Sequence, residues 1–276
     1  MECVFFDCDD CLYKNQWATA AALDTQFGKY CETKLGVTKE RMMELFQRHG
    51  TSLCGLVREG HLQEKDVDSF LQEVHDVHLD IEPDPALREM LLTLPHRRWV
   101  FTAATREHAE RCLGKLGIKD LFEGIVACSS QEMIKRVGFV SKHDPSCFHA
   151  AMDIAGVPRD RANKCMLLDD SVRNIKTARS VGFHTVLVGR QDRKGQVLVC
   201  QEADVTVDTL HQIRKALSWL FEDTKKEPMA PAVEVSQKRR RELKPLASSP
   251  ERRVLRRIST PLSPVASPRA PKEVLA

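Results

Sequence analysis

The spacing of apolar residues along the chain changes character twice. Val4-Phe5-Phe6 is a short unbroken run of β-branched and aromatic residues, which predicts a strand covered on both faces at the centre of a parallel sheet. From Ala18 the period becomes helical. Ala20, Leu23, Phe27, Tyr30 and Cys31 predict a helix over 18–35, and Met42, Leu45 and Phe46 a second over 39–48 behind a Thr38 cap. Val67, Phe70, Leu71 and Val74 predict a further helix. His49-Gly50-Thr51-Ser52 breaks the second of these. About 70 helical residues behind one strand exceed what a single crossover needs, so 14–82 reads as an inserted helical cap.

From Pro83 strand and helix alternate. The pattern predicts a helix over 85–94, a strand from Trp99 ending at Thr102, a helix over 106–116 stopped by Gly117, and a strand over 124–128. It continues with a helix over 145–155, a strand over 165–168 ending in Asp169-Asp170, a helix over 174–181 and a strand over 184–188. A weak strand near Val205 and a helix over 210–221 close the series. This rhythm means an α/β core, a parallel sheet with helices on both faces, formed by 1–13 and 83–221. Residues 222–276 hold eight of the thirteen prolines and six serines, with no Gly, Cys or aromatic residue. Such a segment has nothing with which to build a core and is expected to be a disordered tail.

Composition adds less. With 276 residues, 42% hydrophobic and 29% charged, the chain has the balance of a soluble globular protein. The net +3 hides an asymmetry: the tail carries 13 Lys or Arg against 7 Asp or Glu, a surplus of +6, which leaves −3 on residues 1–221. A mildly acidic core gives no reason to expect nucleic-acid binding there. No apolar run is long enough to span a membrane. The ten cysteines all lie at or before Cys200, irregularly spaced, and no secretory signal precedes them. Free thiols in a reducing compartment are expected, hence a cytoplasmic protein. The run Lys238-Arg239-Arg240-Arg241 adds nuclear import, or an acidic partner, as a second possibility for the tail. Ser249, Thr260, Ser263 and Ser267 each precede a proline, and Ser259 follows two arginines. Phosphorylation of three or four of these hydroxyls would cancel the tail's charge.

The chemistry collects at predicted strand ends. Asp7, Asp9 and Asp10 crowd the end of the first strand and repel one another unless a cation or proton compensates, which makes a divalent metal a natural partner. Open α/β sheets bind ligands at such ends. Thr102 ends the second strand, Asp169-Asp170 the fourth, and Lys142 precedes a helix. Taken singly, Thr102 reads as an ordinary strand-terminal residue and Lys142 as a solvated surface lysine. Together the set supplies a phosphoryl-transfer site: a carboxylate to attack phosphorus, a second to manage the leaving-group proton, a third to complete a Mg²⁺ site, and a hydroxyl and ammonium for the phosphate oxygens. Cys8 and Cys11 have the spacing of a metal or redox pair, but no second pair accompanies them and their side chains diverge, so neither role is expected. His75 and His78 read as the solvated face of a helix.

Asp7-Cys8-Asp9, Phe101-Thr102, Lys142-His143-Asp144-Pro145 and Leu168-Asp169-Asp170-Ser171 with Asn174 resemble the four motifs of the haloacid dehalogenase superfamily of phosphohydrolases, over roughly 3–190. More narrowly, Cys11-Leu12-Tyr13, the segment from His49 to Leu56, Pro83-Asp84-Pro85 and His108-Ala109-Glu110-Arg111 resemble its pyrimidine 5′-nucleotidase branch. The resemblance implies a Rossmann-like core, with Asp7 as nucleophile forming an aspartyl-phosphate and Asp9 as general acid, then base. It implies Mg²⁺ held by Asp7, the Asp9 carbonyl and Asp170, with Asp169 and Asn174 in support. Thr102, Ala103 and Lys142 would hold phosphate, and the cap segment containing Thr51 and Ser52 would meet the substrate. Three positions depart from the branch pattern: Ala103 for Asn, His143 for Pro, and Cys54 for Arg.

The expected activity is therefore Mg²⁺-dependent hydrolysis of a small phosphomonoester, first a pyrimidine nucleoside 5′-monophosphate. A sugar phosphate, pyridoxal phosphate or lysophospholipid is an alternative, and so is a catalytically weak binding protein on the same fold. A phosphorylation-controlled receiver domain shares the residue types, but it lacks a cap and places its accepting Asp on a middle strand. Dehalogenation has no need of the acid that Asp9 supplies.

Overall fold

The computed structural model describes residues 1–222; the basic tail and its serines lie outside the described residues. Six strands form one parallel sheet in the order β3-β2-β1-β4-β5-β6, with β1 at Cys3–Phe6, β2 at Arg97–Thr102, β3 at Gly124–Ala127, β4 at Cys165–Asp169, β5 at His184–Val188 and β6 at Val205–Val207. The chain builds outward from β1 to β3 on one side, then returns to begin β4 on the other. The reversal leaves a crevice between β1 and β4, where open α/β sheets bind ligands.

Successive side chains on a strand point to opposite faces, and β1 shows the result. Val4 and Phe6 join a cluster with Leu87, Leu113 and Leu168, under α5 (Pro85–Leu92) and α6 (Arg106–Leu116). Cys3 and Phe5 join another with Phe148 and Ile175, under α8 (Pro145–Ile154) and α9 (Val172–Val181). Both faces are covered, so β1 reads as continuous apolar sequence rather than alternation.

Polar residues set where the helices begin. Asp84, Thr105, Asp144 and Ser171 each accept a hydrogen bond from a first-turn amide of α5, α6, α8 and α9. The same four caps sit at or near the strand ends, so they also fix the direction in which the loops leave the sheet.

Two elements differ from the sequence expectation. Gln131–Val137 forms α7, capped by Ser130, where no element was assigned; its stripe is short and only Met133 is buried. The expected helix over 210–221 is broken into a 3₁₀ turn at Leu210–Gln212, α10 at Ile213–Ala216 and a second 3₁₀ turn at Ser218–Phe221. Leu217 leaves helical geometry at φ −133°, ψ 56°. Leu210, Ile213, Leu217 and Leu220 all enter the same core cluster, and that burial outweighs an unbroken helical ladder.

Residues between the first two strands form α1 (Ala18–Lys34), α2 (Lys39–His49), α3 (Ser52–Arg58) and α4 (Val67–Val74). They share a cluster of their own, including Cys31, Leu45, Leu56 and Phe70. His75 and His78 do not lie on a solvated helical face: α4 ends at Val74, and His75 packs its ring 5.0 Å from that of His108. The two chains joining these helices to the sheet meet at Asn15, whose Nδ2 donates to the Asp80 carbonyl at 3.2 Å. Gln16 and Trp17 beside it adopt left-handed φ of 57° and 64°, which non-glycine residues seldom do.

Gly55 lets α2 and α3 approach. A Cβ there would lie 2.6 Å from Leu45 Cβ and 3.2 Å from Leu45 Cα, atoms fixed to the facing backbone. Gly55→Val is expected to destabilise the protein by about 2 kcal/mol or more, since overpacking of a filled core typically costs about 1–3 kcal/mol. Urea unfolding reads this directly, and an unchanged midpoint would mean that α2 and α3 are not closely packed.

Candidate active site

The crevice between β1 and β4 is lined by the acids that end those strands. Asp7 follows β1 directly and donates its backbone N–H to the Leu168 carbonyl at 2.9 Å, which ties the loop to β4. Lys142 enters from the loop before α8 and is 2% exposed. Its ammonium donates to Asp7 Oδ1 at 2.6 Å, to Asp169 Oδ2 at 2.7 Å and to the Phe101 carbonyl at 3.1 Å. An ammonium has three protons to donate, so all three are taken. Burial alone would favour neutral lysine, but Asp169 and Asp7 outweigh it and hold Lys142 charged.

Asp169 is fully buried and fully engaged. Its second oxygen accepts from the Ser171 backbone N–H at 2.9 Å and from Asn174 Nδ2 at 2.9 Å. That leaves it a supporting carboxylate, with Asn174 beside it as the sequence suggested. Asp7, Asp169 and Asp170 each place a carboxylate oxygen within 4.8 Å of the others. Burial pushes Asp170 up to about 7, reinforced by Asp169 and Asp10. Burial is also the largest influence raising Asp7, against the pull of Lys142. Three carboxylates around one ammonium leave uncompensated negative charge in a buried place, and the oxygens left free, on Asp7 and Asp170, are hard donors suited to Mg²⁺.

Asp9 faces away from Lys142. Its Oδ1 accepts from the Tyr13 hydroxyl at 2.5 Å and from His108 Nε2 at 2.8 Å. Burial is the largest influence and opposes ionisation of Asp9, but the hydrogen bonds from His108 and Tyr13 and the charges of His108 and His75 together outweigh it and lower the pKa. Burial likewise opposes charging of His108, and the bond to Asp9 raises it to about 10. Asp9 was expected as a protonated acid. The structure gives its carboxylate a partner in His108, and the lowered Asp9 and raised His108 pKa favour a proton shared between the two. His108 was legible only as part of the family resemblance; its sequence signal is the spacing Thr105-x-x-His108 at a helix start.

The remaining candidates divide. Thr102 is buried, with its hydroxyl accepting from the Ala104 N–H at 3.0 Å, which leaves its own proton free to donate into the crevice. Ala103 is exposed in the turn that follows. Thr51 and Ser52 are not in a loop: Thr51 caps α3 by accepting from the Cys54 N–H at 3.1 Å, and Ser52 Oγ donates to the Met42 carbonyl at 3.2 Å. Cys54 is buried inside the helical layer. What reaches the sheet from this segment is Gly50, at φ 84°. A Cβ on it would lie 3.0 Å from His143 Nδ1, so His143 packs directly against the cap backbone. The ten cysteines are free thiols.

Residues 1–182 match the family described as haloacid dehalogenase-like hydrolase. "Phosphate metabolism protein 8" of Saccharomyces cerevisiae is 29% identical over 195 residues, which are 66% of this chain and 60% of that protein; the chain thus spans about 60% of that curated relative's length. Among solved structures, β-phosphoglucomutase from Clostridium difficile is similar at a TM-score of 0.54 and 18% identity, over 80% of this chain and 97% of that one. The hydrolase YfnB from Bacillus subtilis, solved bound to magnesium, is similar at 0.50 and 15%, over 79% and 98%. At these identities the two structures show a shared fold.

Removing the ammonium would leave Asp169 charged, buried and unpaired. Lys142→Met is expected to cost about 3–5 kcal/mol, the range for breaking a buried ion pair from one side. Urea unfolding of the variant without added metal measures it; a loss below about 1 kcal/mol would show that Lys142 does not compensate these acids.

Proposed function

This chain belongs to the haloacid dehalogenase-like hydrolases, and on that premise we propose that it hydrolyses a small phosphomonoester with Mg²⁺, through a phosphate ester formed on Asp7. The observation that carries the reading is Lys142 held between Asp7 and Asp169 with Asp170 adjoining. A buried nucleophile, an adjacent cation and a free pair of hard oxygens are what transfer of a phosphoryl group requires, and there is little else for the protein to supply.

Asp7 attacks phosphorus with one carboxylate oxygen, while the other, which Lys142 holds, keeps a lone pair with which it would meet Mg²⁺. An incoming phosphate oxygen competes for the ammonium, and the Phe101 carbonyl is the contact most easily given up, being the longest of the three and uncharged. Thr102 donates its free proton to a second phosphate oxygen. The leaving alkoxide takes the proton that Asp9 and His108 share; in the second step Asp9 takes a proton back from the water that attacks the phosphoryl-Asp7. Mg²⁺, held by Asp7, Asp170 and the Asp9 carbonyl, would neutralise charge on the transferring group, as the magnesium-bound relative supports.

The substrate class we favour is a nucleoside 5′-monophosphate, pyrimidine first, supported by the branch motifs around Tyr13, Pro83 and His108. Thr51 accepts a cap hydrogen bond and Ser52 donates to the Met42 carbonyl, so in recognition of the leaving group Thr51 keeps its proton to donate and Ser52 its oxygen to accept, beside the Gly50 turn. A sugar phosphate is the second choice. No helix among the described residues is long and apolar enough to cross a membrane, which is compatible with a small dissolved substrate.

Phosphate release from a nucleotide and sugar-phosphate panel with and without Mg²⁺ tests the activity. Asp7→Asn is expected to abolish turnover, because an amide does not attack phosphorus; near wild-type turnover, with deamidation excluded, would overturn the mechanism.

Asp9→Asn is expected to reduce hydrolysis of nucleotides far more than that of a nitrophenyl phosphate, whose leaving group needs little protonation. Equal losses on both substrates would remove Asp9 from the acid role.

A further inference from the structure

Behind Asp9 the structure gathers two thiols that the hydrolytic reaction does not use. Cys8 lies on the turn after β1, and Cys112 on α6 one helical turn beyond His108, so that His108 and Cys112 share a face. Cys8 Sγ, Cys112 Sγ and an Asp9 oxygen all lie within 4.8 Å of one another. His108 Nε2 is 3.5 Å from Cys112 Sγ and 2.8 Å from Asp9 Oδ1. Cys11, the partner that spacing offers Cys8, points elsewhere, with its thiol on the Leu168 carbonyl at 3.4 Å.

We propose that Cys8, Cys112, His108 and Asp9 form a second cation site, selective for a thiophilic divalent metal of the Zn²⁺ class, and that filling it withdraws Asp9 from catalysis. A tetrahedral zinc ion with bonds of about 2.3 Å to sulfur and about 2.0 Å to nitrogen or oxygen separates its ligands by roughly 3.3–3.8 Å. His108 Nε2 already stands at such an edge from Cys112 and about half an ångström inside one from Asp9, while Cys8, Cys112 and Asp9 lie within 4.8 Å of one another, so a metal would draw Cys8 inward towards His108 and widen the Asp9–His108 contact. The donor set is soft where the Asp7/Asp170 set is hard, so the two sites sort their metals by ligand type. Cys8, Cys112 and His108 are each no more than 1% exposed, whereas the Asp9 side chain is 22% exposed and provides the way in. Binding is balanced by release of the protons that the two thiols and His108 Nε2 carry, and it replaces the Asp9–His108 hydrogen bond with two bonds to one metal. The inhibitory half of the inference rests on the proposed role of Asp9; the binding half does not.

The test uses the full chain, reduced with a phosphine and kept in excess Mg²⁺. Titration with Co²⁺ is expected to give thiolate-to-cobalt charge-transfer absorption in the near ultraviolet that saturates at about one equivalent. Zn²⁺ over the same range should reduce phosphate release about tenfold or more, reversibly on chelation. Cys112→Ala and Cys8→Ala should keep the basal rate, lose the absorption and need roughly tenfold more Zn²⁺ for the same inhibition. Absence of the absorption in the wild-type protein, or its persistence in both variants, would overturn the site. Absorption lost in the variants while Zn²⁺ leaves the wild-type rate unchanged would keep the site and overturn the withdrawal of Asp9. If no nucleotide or sugar phosphate is hydrolysed at all, the cobalt spectrum still decides the binding half.

Discussion

The ammonium of Lys142 is the contact on which the catalytic end of the sheet depends. It bridges the ends of β1 and β4 through Asp7 and Asp169, and reaches the end of β2 through the Phe101 carbonyl. Three strand termini are thereby drawn to one point. Without it, two buried carboxylates would face each other in a medium where their repulsion is several times that in water. The cost of burying these charges is met locally: Asp169 satisfies its other oxygen with Ser171 and Asn174, both held by the start of α9. Stability and chemistry thus make opposite demands on the same group, because a phosphate must take one of the three protons that now hold the strands together.

Asp9 illustrates the same economy on the other side of the turn. It sits two residues from Asp7 yet faces a different neighbourhood, in which Tyr13 and His108 supply hydrogen bonds. The two acids are consequently tuned apart by their surroundings, Asp7 upward by burial among like charges and Asp9 downward by His108. Such divergence suits the division of labour proposed for them, one as nucleophile and the other handling protons.

Much of this was readable in the sequence, and the reason is local. An apolar run ending in acids has one economical structure, a central strand delivering its carboxylates to the sheet edge, and the same holds for Cys165-Met166-Leu167-Leu168-Asp169-Asp170. Strand ends are fixed by short-range pattern, so Asp7, Thr102, Asp169 and Asp170 fall where expected. Contacts that arise only in three dimensions were not legible. His108 and Cys112 sit about a hundred residues from Asp9 and Cys8, and nothing in helical periodicity distinguishes a core histidine from one aimed at a carboxylate. The substrate segment failed for a related reason. Gly50-Thr51-Ser52 looks like a loop by composition, but Thr51 is the ordinary cap of the helix that follows, which fixes its hydroxyl at the helix start and leaves only its proton to donate elsewhere.

The cover over the site is built differently from the site itself. Asp7, Thr102 and Lys142 are each less than a tenth exposed, so a phosphate reaches them only if something parts. The polar contacts from the helical layer to the sheet at this end are individually weak, and Phe139 adds an apolar one by packing against the layer's own cluster. Arg173 donates to the Gly50 carbonyl at 3.5 Å and lies over Phe46 at 5.5 Å, Gln131 donates to Asp68 at 3.1 Å, and Gly50 rests on His143. Exposed polar contacts of this kind contribute at most about 1 kcal/mol each, against the several kcal/mol that bind Lys142 to its acids. Moving the layer would therefore break polar contacts weaker at this point than those that separating the strand ends would break. The left-handed pair Gln16-Trp17, next to the Asn15 tie between the two connecting chains, lies where such a movement would pivot, and backbone strain of that kind persists where its surroundings hold it. His143, next to Lys142 in the chain, meets the Gly50 turn with its ring, so the weak contact and the strong one are adjacent.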